Sequence, residues 1–149
     1  MQADIERFFQ DYVAAFNRSL GESPDFETIQ AAFAPCFVAA GPTGVICGQN
    51  DDSFREILEQ GYAFYRSIGT RSMTLLSIDL TPIDANHQMA RVFYSSEYQR
   101  RDGDLVTIDF DVIYMLHIEN ATPQIFAYVA GDEQALLREH GLVPEERPE

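Results

Sequence analysis

The stretch TIDFDVIYMLHI, Thr107 to Ile118, decides how this chain is read. Its length and its β-branched and aromatic content mark a strand. One side is apolar throughout, and the other carries Asp109 and Asp111 before it too turns apolar. A sheet with one solvated face does not need such a strand, so both faces are expected to be covered. The preceding RRDGDL contains Asp102-Gly103, a strong two-residue hairpin signal. That turn sets Arg101 opposite Asp104 and then Tyr94 opposite Asp111 and Ser96 opposite Asp109. One face therefore carries a polar patch of Tyr94, Ser96, Asp109 and Asp111, above an apolar floor of Ile113 and Met115 with Val129. Small-molecule pockets have this composition, mostly apolar with a few convergent polar groups. The other face carries Phe93, Phe110, Val112 and Tyr114, with Arg91 and Glu97, and suits a subunit interface extended by Phe126 and Tyr128.

Outward from this strand the periodicity changes. Ile5, Phe8, Phe9, Tyr12, Val13 and Phe16 recur at helical spacing, which predicts an amphipathic helix over about residues 4–19. Ser23-Pro24 signals a second, short helix, ended by Pro35. CFVAAGPTGVICG reads as two short strands around a Gly-Pro turn. Asp51 or Asp52 caps a third helix whose stripe includes Phe54 and Leu58, and Gly69 closes it. Long strands are predicted near 71–82, 88–101 and 104–118, and a shorter one near 124–130. Asp132 caps a last helix that stops at His140-Gly141. Residues 142–149, rich in charge and proline, read as a disordered tail. The order ααββαββββα, with helices gathered before a mostly antiparallel sheet, is α+β. There is no repeat and no linker, so residues 1–149 are read as one domain.

The chain of 149 residues is 46% hydrophobic, and its net charge of −14 argues against nucleic acid and against anionic membrane surfaces. All ten cationic side chains are arginine, which removes Schiff-base lysines and lysine-dependent phosphate loops. No apolar run reaches membrane-spanning length and the N-terminus lacks a secretory pattern, so a cytoplasmic protein is expected. Cys36 and Cys47 fall on one face of the short hairpin but diagonally offset, so they are expected to be reduced, buried thiols. The histidines and carboxylates do not converge at metal-ligand spacing, so neither a metal site nor a cofactor is predicted.

Local strings, chiefly IERFFQDYVAAFN, VICGQNDDSFREIL, DFDVIYMLHI and IFAYVAGDEQ, together with the element order, resemble the nuclear transport factor 2-like superfamily over about residues 4–140. That superfamily includes the ketosteroid isomerases and the SnoaL-like polyketide cyclases. The resemblance implies a cystatin-like cone, a strongly curved sheet wrapped on the N-terminal helices, often dimeric, with a ligand cavity inside. In ketosteroid isomerases a late-sheet Asp donates to the substrate oxyanion beside a tyrosine of the first helix. Asp111 and Tyr12 are similar to that pair, and Tyr94 is expected beside them as a third catalytic group. The general base has no counterpart, because Ala39 and Ala40 occupy its region. The expected ligand contacts are Ser96, Asp109, Ile113, Met115, Val129, Phe54 and Leu58. The leading expectation is a homodimer that binds a small hydrophobic molecule in the cone. An isomerase, cyclase or dehydratase acting on a carbonyl or hydroxyl is the alternative, and a dimeric protein-interaction module is a further one.

Overall fold

The computed structural model describes residues 2–144. Two helices come first, α1 (Gln2–Leu20) and α2 (Phe26–Ala31). The hairpin β1 (Phe33–Gly41) and β2 (Gly44–Gln49) leads to α3 (Asp52–Ser67). Four strands follow: β3 (Thr70–Asp84), β4 (His87–Gln99), β5 (Leu105–Glu119) and β6 (Thr122–Ala130). The helix α4 (Glu133–Glu139) closes the series.

Several of these boundaries have visible local causes. The Asp51 carboxylate accepts from the Ser53 and Phe54 amides, and the Asp132 carboxylate from the Ala135 amide, so both act as N-caps. The short helix α2 is capped by Asp25 rather than Ser23, and Arg18 holds the same carboxylate. Pro35 does not end α2. It sits inside β1, within the interval where the β1–β6 register shifts, and that irregularity is where a strand tolerates a missing amide hydrogen. Gly69 ends α3 with φ +86°, and a Cβ there would meet the Gln99 carbonyl oxygen at 2.1 Å. Glycine is required at this point by backbone conformation and by space together.

The six strands form one sheet in the order β2-β1-β6-β5-β4-β3. Every neighbouring pair is antiparallel except β1 with β6. Register shifts interrupt β3 against β4 at three places and β5 against β6 at one. Such bulges bend and twist a sheet, and this sheet is curved around the helices. On its inner face Ile5 and Phe9 of α1 join Val92, Leu116 and Ile125, all essentially inaccessible to solvent. The Asn17 side chain fixes α1 to the sheet by donating to the Met73 carbonyl and accepting from the Met73 amide. Among the described residues no helix is long and apolar enough to cross a membrane.

The β4–β5 register differs by one residue from the sequence expectation. Arg100, not Arg101, pairs with Asp104, and Gly103 closes the turn by donating to the Arg100 carbonyl. The loop therefore has three residues, Arg101 to Gly103, with Gly103 left-handed at φ +94°. A turn followed by a left-handed glycine is the usual three-residue hairpin, and it uses the same Asp-Gly pair as the two-residue form. Because side chains alternate with period two, this single residue exchanges every side chain on β5 between the faces relative to the expectation.

Three further expectations change. Phe110, Val112, Tyr114 and Tyr128 point inward, so of the anticipated apolar interface residues Phe93 and Phe126 remain on the outer face, beside Arg91 and Glu97. Cys36 and Cys47 are free thiols with the diagonal offset the hairpin implied, but they are exposed rather than packed. Leu142 and Val143, anticipated as the start of a tail, pack beside Tyr98, Ile108 and Leu137, and residues 145–149 lie outside the described set.

Candidate functional site

Between the inner face of the sheet and the helices α1 and α3 lies a cavity of about 300 Å³. All seven tyrosines of the chain line it. Their placement follows from the period of each element. Tyr94 and Tyr98 are two turns of the pleat apart on β4, and Tyr114 and Tyr128 face each other across β5 and β6. Tyr12 projects from α1, and Tyr62 and Tyr65 lie three apart on one face of α3. Phe16, Phe33, Phe54, Leu58, Met73 and Phe110 supply most of the remaining apolar wall. Ser96, 2% exposed, adds a hydroxyl.

Two polar contacts organise the lining. The Tyr94 and Tyr114 hydroxyls are 2.8 Å apart and buried, so one donates to the other. The Tyr65 hydroxyl donates to Oε2 of Glu133 at 2.8 Å. Glu133 is the first residue of α4, directly after the capping Asp132, and stands at the cavity mouth where solvent also reaches it. Among the described lining residues it is the only ionisable carboxylate, and no arginine or histidine accompanies it. Desolvation pushes its pKa above the usual carboxylate value, against the lowering effect of the Tyr65 hydrogen bond. Desolvation likewise raises the pKa of all seven tyrosines. Neighbouring phenols add to this at Tyr12, Tyr62, Tyr94 and Tyr114. The lining thus presents neutral hydroxyls, which both donate and accept.

A second cavity of about 220 Å³ opens where β5 runs beyond the end of β6, roofed by Leu136 and Leu137 of α4. It shares Tyr98, Phe110, Val112, Ala130 and Glu133 with the first, so Glu133 stands at the junction of the two.

Of the residues expected from sequence, Tyr12, Tyr94, Ser96, Phe54 and Leu58 meet at the first cavity. Asp111 does not. It lies opposite Phe93 on the outer face, and Nε of Arg91 donates to its Oδ2 at 2.8 Å. Asp109 pairs with Ser95 on the same outer side, and both aspartates are among the residues that line the second cavity rather than the first. Ile113, Met115 and Val129 also face outward, with Val129 50% exposed. The one-residue change in the hairpin loop moves all five together. The anticipated Asp111–Tyr12 partnership is therefore absent, and a buried Tyr94–Tyr114 pair takes the equivalent depth. Sequence reasoning missed Tyr62, Tyr65, Tyr98, Tyr114, Tyr128 and Glu133. A tyrosine-rich chain without tryptophan was the available signal for the first five, whereas Glu133 is masked by the helix-start pattern around it.

A curved sheet closed over N-terminal helices, with an open-mouthed cavity on its concave side, defines an NTF2-like protein with a cystatin-like fold. The chain belongs to the NTF2-like protein family DUF6841, whose sequence profile matches residues 3–133. Solved structures with the same fold include a ketosteroid isomerase-like protein from Erwinia carotovora atroseptica, 18% identical, with a TM-score of 0.60 over 87% of this chain and 93% of that one. The association domain of CaMKII from C. elegans is 16% identical, with a TM-score of 0.64 over 86% and 92%. A protein of unknown function with a cystatin-like fold from Nostoc punctiforme is 18% identical, with a TM-score of 0.56 over 86% and 91%. At these identities the likeness is one of fold. No curated protein is significantly similar in sequence.

Proposed function

We propose that this protein binds a hydrophobic small molecule in the tyrosine-lined cavity. The observation that carries the reading is the convergence of all seven tyrosines on one open-mouthed cavity of about 300 Å³. A chain that needed tyrosine only for packing would scatter it through the core and over the surface. The wall offers flat apolar surface with hydroxyls set into it, a lining that suits a ring-containing ligand bearing carbonyl or hydroxyl groups. Tyr12, Tyr94, Ser96, Phe54 and Leu58 are assigned as contacts, together with Tyr62, Tyr98 and Tyr114. Binding is favoured over isomerase, cyclase or dehydratase chemistry of the ketosteroid isomerase kind. Asp111 stands outside the cavity, and Ala39 and Ala40 supply no base. Native mass spectrometry of the purified protein tests the reading: a retained small molecule is expected, released by Tyr94→Trp, which fills the space. Purified protein that retains nothing and binds no member of a planar aromatic library would overturn it.

We further infer that the outer sheet face pairs with a second copy of the chain. Phe93, Ile113 and Met115 lie half-buried on it and Val38 and Val129 are exposed, so the face stays apolar although its members differ from those expected. The fold likeness to an association domain supports self-assembly, and closed two-fold pairing is the usual form it takes. Sedimentation should give a dimer that Met115→Glu dissociates, and a monomeric wild-type protein at micromolar concentration would sink this inference.

A further inference from the structure

We propose that the cavity is built for a cationic ligand, a hydrophobic amine or quaternary ammonium compound whose positive group sits beside Glu133. This rests on the ligand-binding reading above and narrows it to one chemical class. The lining contains no arginine and no histidine among the described residues, and the chain contains no lysine. An anionic ligand would thus meet carboxylate and no compensating charge. A neutral ligand would gain no electrostatic attraction from Glu133, which solvent also reaches, whereas a cation would pair with it.

Three features converge on the same class. Among the described residues Glu133 forms no ion pair, and its side chain bonds to a neutral phenol, Tyr65, which donates to Oε2 and leaves Oε1 available. Arg18, Arg55, Arg71, Arg91 and Arg100, by contrast, all have carboxylate partners elsewhere. Around Glu133 the rings of Tyr65, Tyr98, Tyr128 and Phe110 present π surface, which attracts cations through the ring quadrupole. Glu133 also stands where the two cavities join, so a charged group there can carry one apolar substituent into the tyrosine-lined space and another under Leu136 and Leu137. The upward displacement of the Glu133 pKa fits the arrangement, because a bound cation would favour the ionised form and release the proton.

The chain has no tryptophan, so tyrosine emission, all of it from the cavity wall, reports occupancy directly. Benzyltrimethylammonium, its neutral carbon isostere neopentylbenzene and anionic benzylphosphonate form a matched series of probes. The ammonium compound is expected to bind at least tenfold more tightly than the isostere, with no saturable binding of the phosphonate. Glu133→Gln keeps an acceptor for Tyr65, should fold normally, and should lose at least tenfold in ammonium affinity while binding neopentylbenzene as the wild type does. Ammonium affinity should rise with pH in the wild type and stay flat in Glu133→Gln. Equal affinity for ammonium and isostere, or unchanged ammonium binding in Glu133→Gln, would overturn the cationic assignment and leave the cavity reading standing. If none of the three perturbs the emission and an aromatic library also fails, both readings fall together.

Discussion

Both faces of β5 carry apolar residues and yet serve different ends. Inward, Ile108, Phe110, Val112, Tyr114 and Leu116 meet helices and a cavity. Outward, Asp109, Asp111, Ile113 and Met115 meet an arginine, a phenylalanine and open space. The inner polar atoms are phenols bonded to one another, whereas the outer ones are charges paired in water's reach. The faces therefore differ in the kind of polar group each tolerates. Enclosed space accepts neutral hydroxyls that satisfy each other, and an accessible face accepts ion pairs.

The largest test of this contrast compares two adjacent residues. Leu116→Ala, at a site with no solvent exposure, should cost about 3 kcal/mol in denaturant unfolding. Its neighbour Met115→Ala, on the half-buried outer face, should cost about 1 kcal/mol or less in the isolated subunit. Similar values for both would show that the faces are not distinct.

Alkaline titration comes next. The folded tyrosines have pKa values above the ordinary 10.0, so the native state holds these protons more tightly than the unfolded chain. Their contribution to stability is complete below the unfolded value and is lost as pH rises beyond it. Tyrosinate absorbance should stay low past the ordinary phenol range and then appear in one cooperative step together with loss of circular dichroism. A gradual, non-cooperative rise near the ordinary phenol value would place the rings in water.

The outer ion pair should be worth less. Arg91 and Asp111 are 52% and 36% exposed in their side chains, so Asp111→Ala should change stability by under about 1 kcal/mol in denaturant unfolding. A loss of several kcal/mol would show that the pair is part of the packed structure.

The smallest effect is a gain. Because the Glu133 pKa is raised above 4.5, its stabilising contribution is full only below that value and is lost as pH rises through the higher folded one. Glu133→Gln should therefore raise the melting temperature at neutral pH by about 1 °C, a small shift because the residue is partly exposed, and by nothing in acid. A drop at neutral pH would mean that the carboxylate is structural.

Most of the fold was legible because its signals are local. The caps at Asp51 and Asp132, the stop at Gly69 and the helical stripe of α1 each depend on a few neighbouring residues. The face assignment of β5 was not legible, and the reason is specific. Hydrophobic alternation normally arbitrates register, but β5 is apolar on both sides, so the pattern accepts either choice. The decision passes to the RRDGDL loop, where Asp-Gly serves a two-residue and a three-residue turn alike. The site suffered most because its expected members on β5 moved as a set, while Tyr12, Tyr94 and Ser96 lie on elements placed by other signals. Tyr94 and Ser96 stayed inside since β4 has a clear alternation of its own, buried at every second residue from Gln88 to Tyr98. Glu133 was hidden by adjacency to a capping aspartate that explained the local pattern without it.

The parallel contact between β1 and β6 bears on how the chain reaches this state. Val38 pairs with Ala127 and Ala40 with Val129, so the first strand of the sheet lies beside its last. The β1–β2 hairpin then waits with an unsatisfied edge until β6 has been made. Closing so long a loop is slow compared with forming the β3–β4 and β4–β5 hairpins. Folding should therefore proceed outward from the β3–β4–β5 meander, with the β1–β2 hairpin docking only once β6 is in place. A chain that stops before Thr122 should expose the β1 edge permanently and aggregate through it.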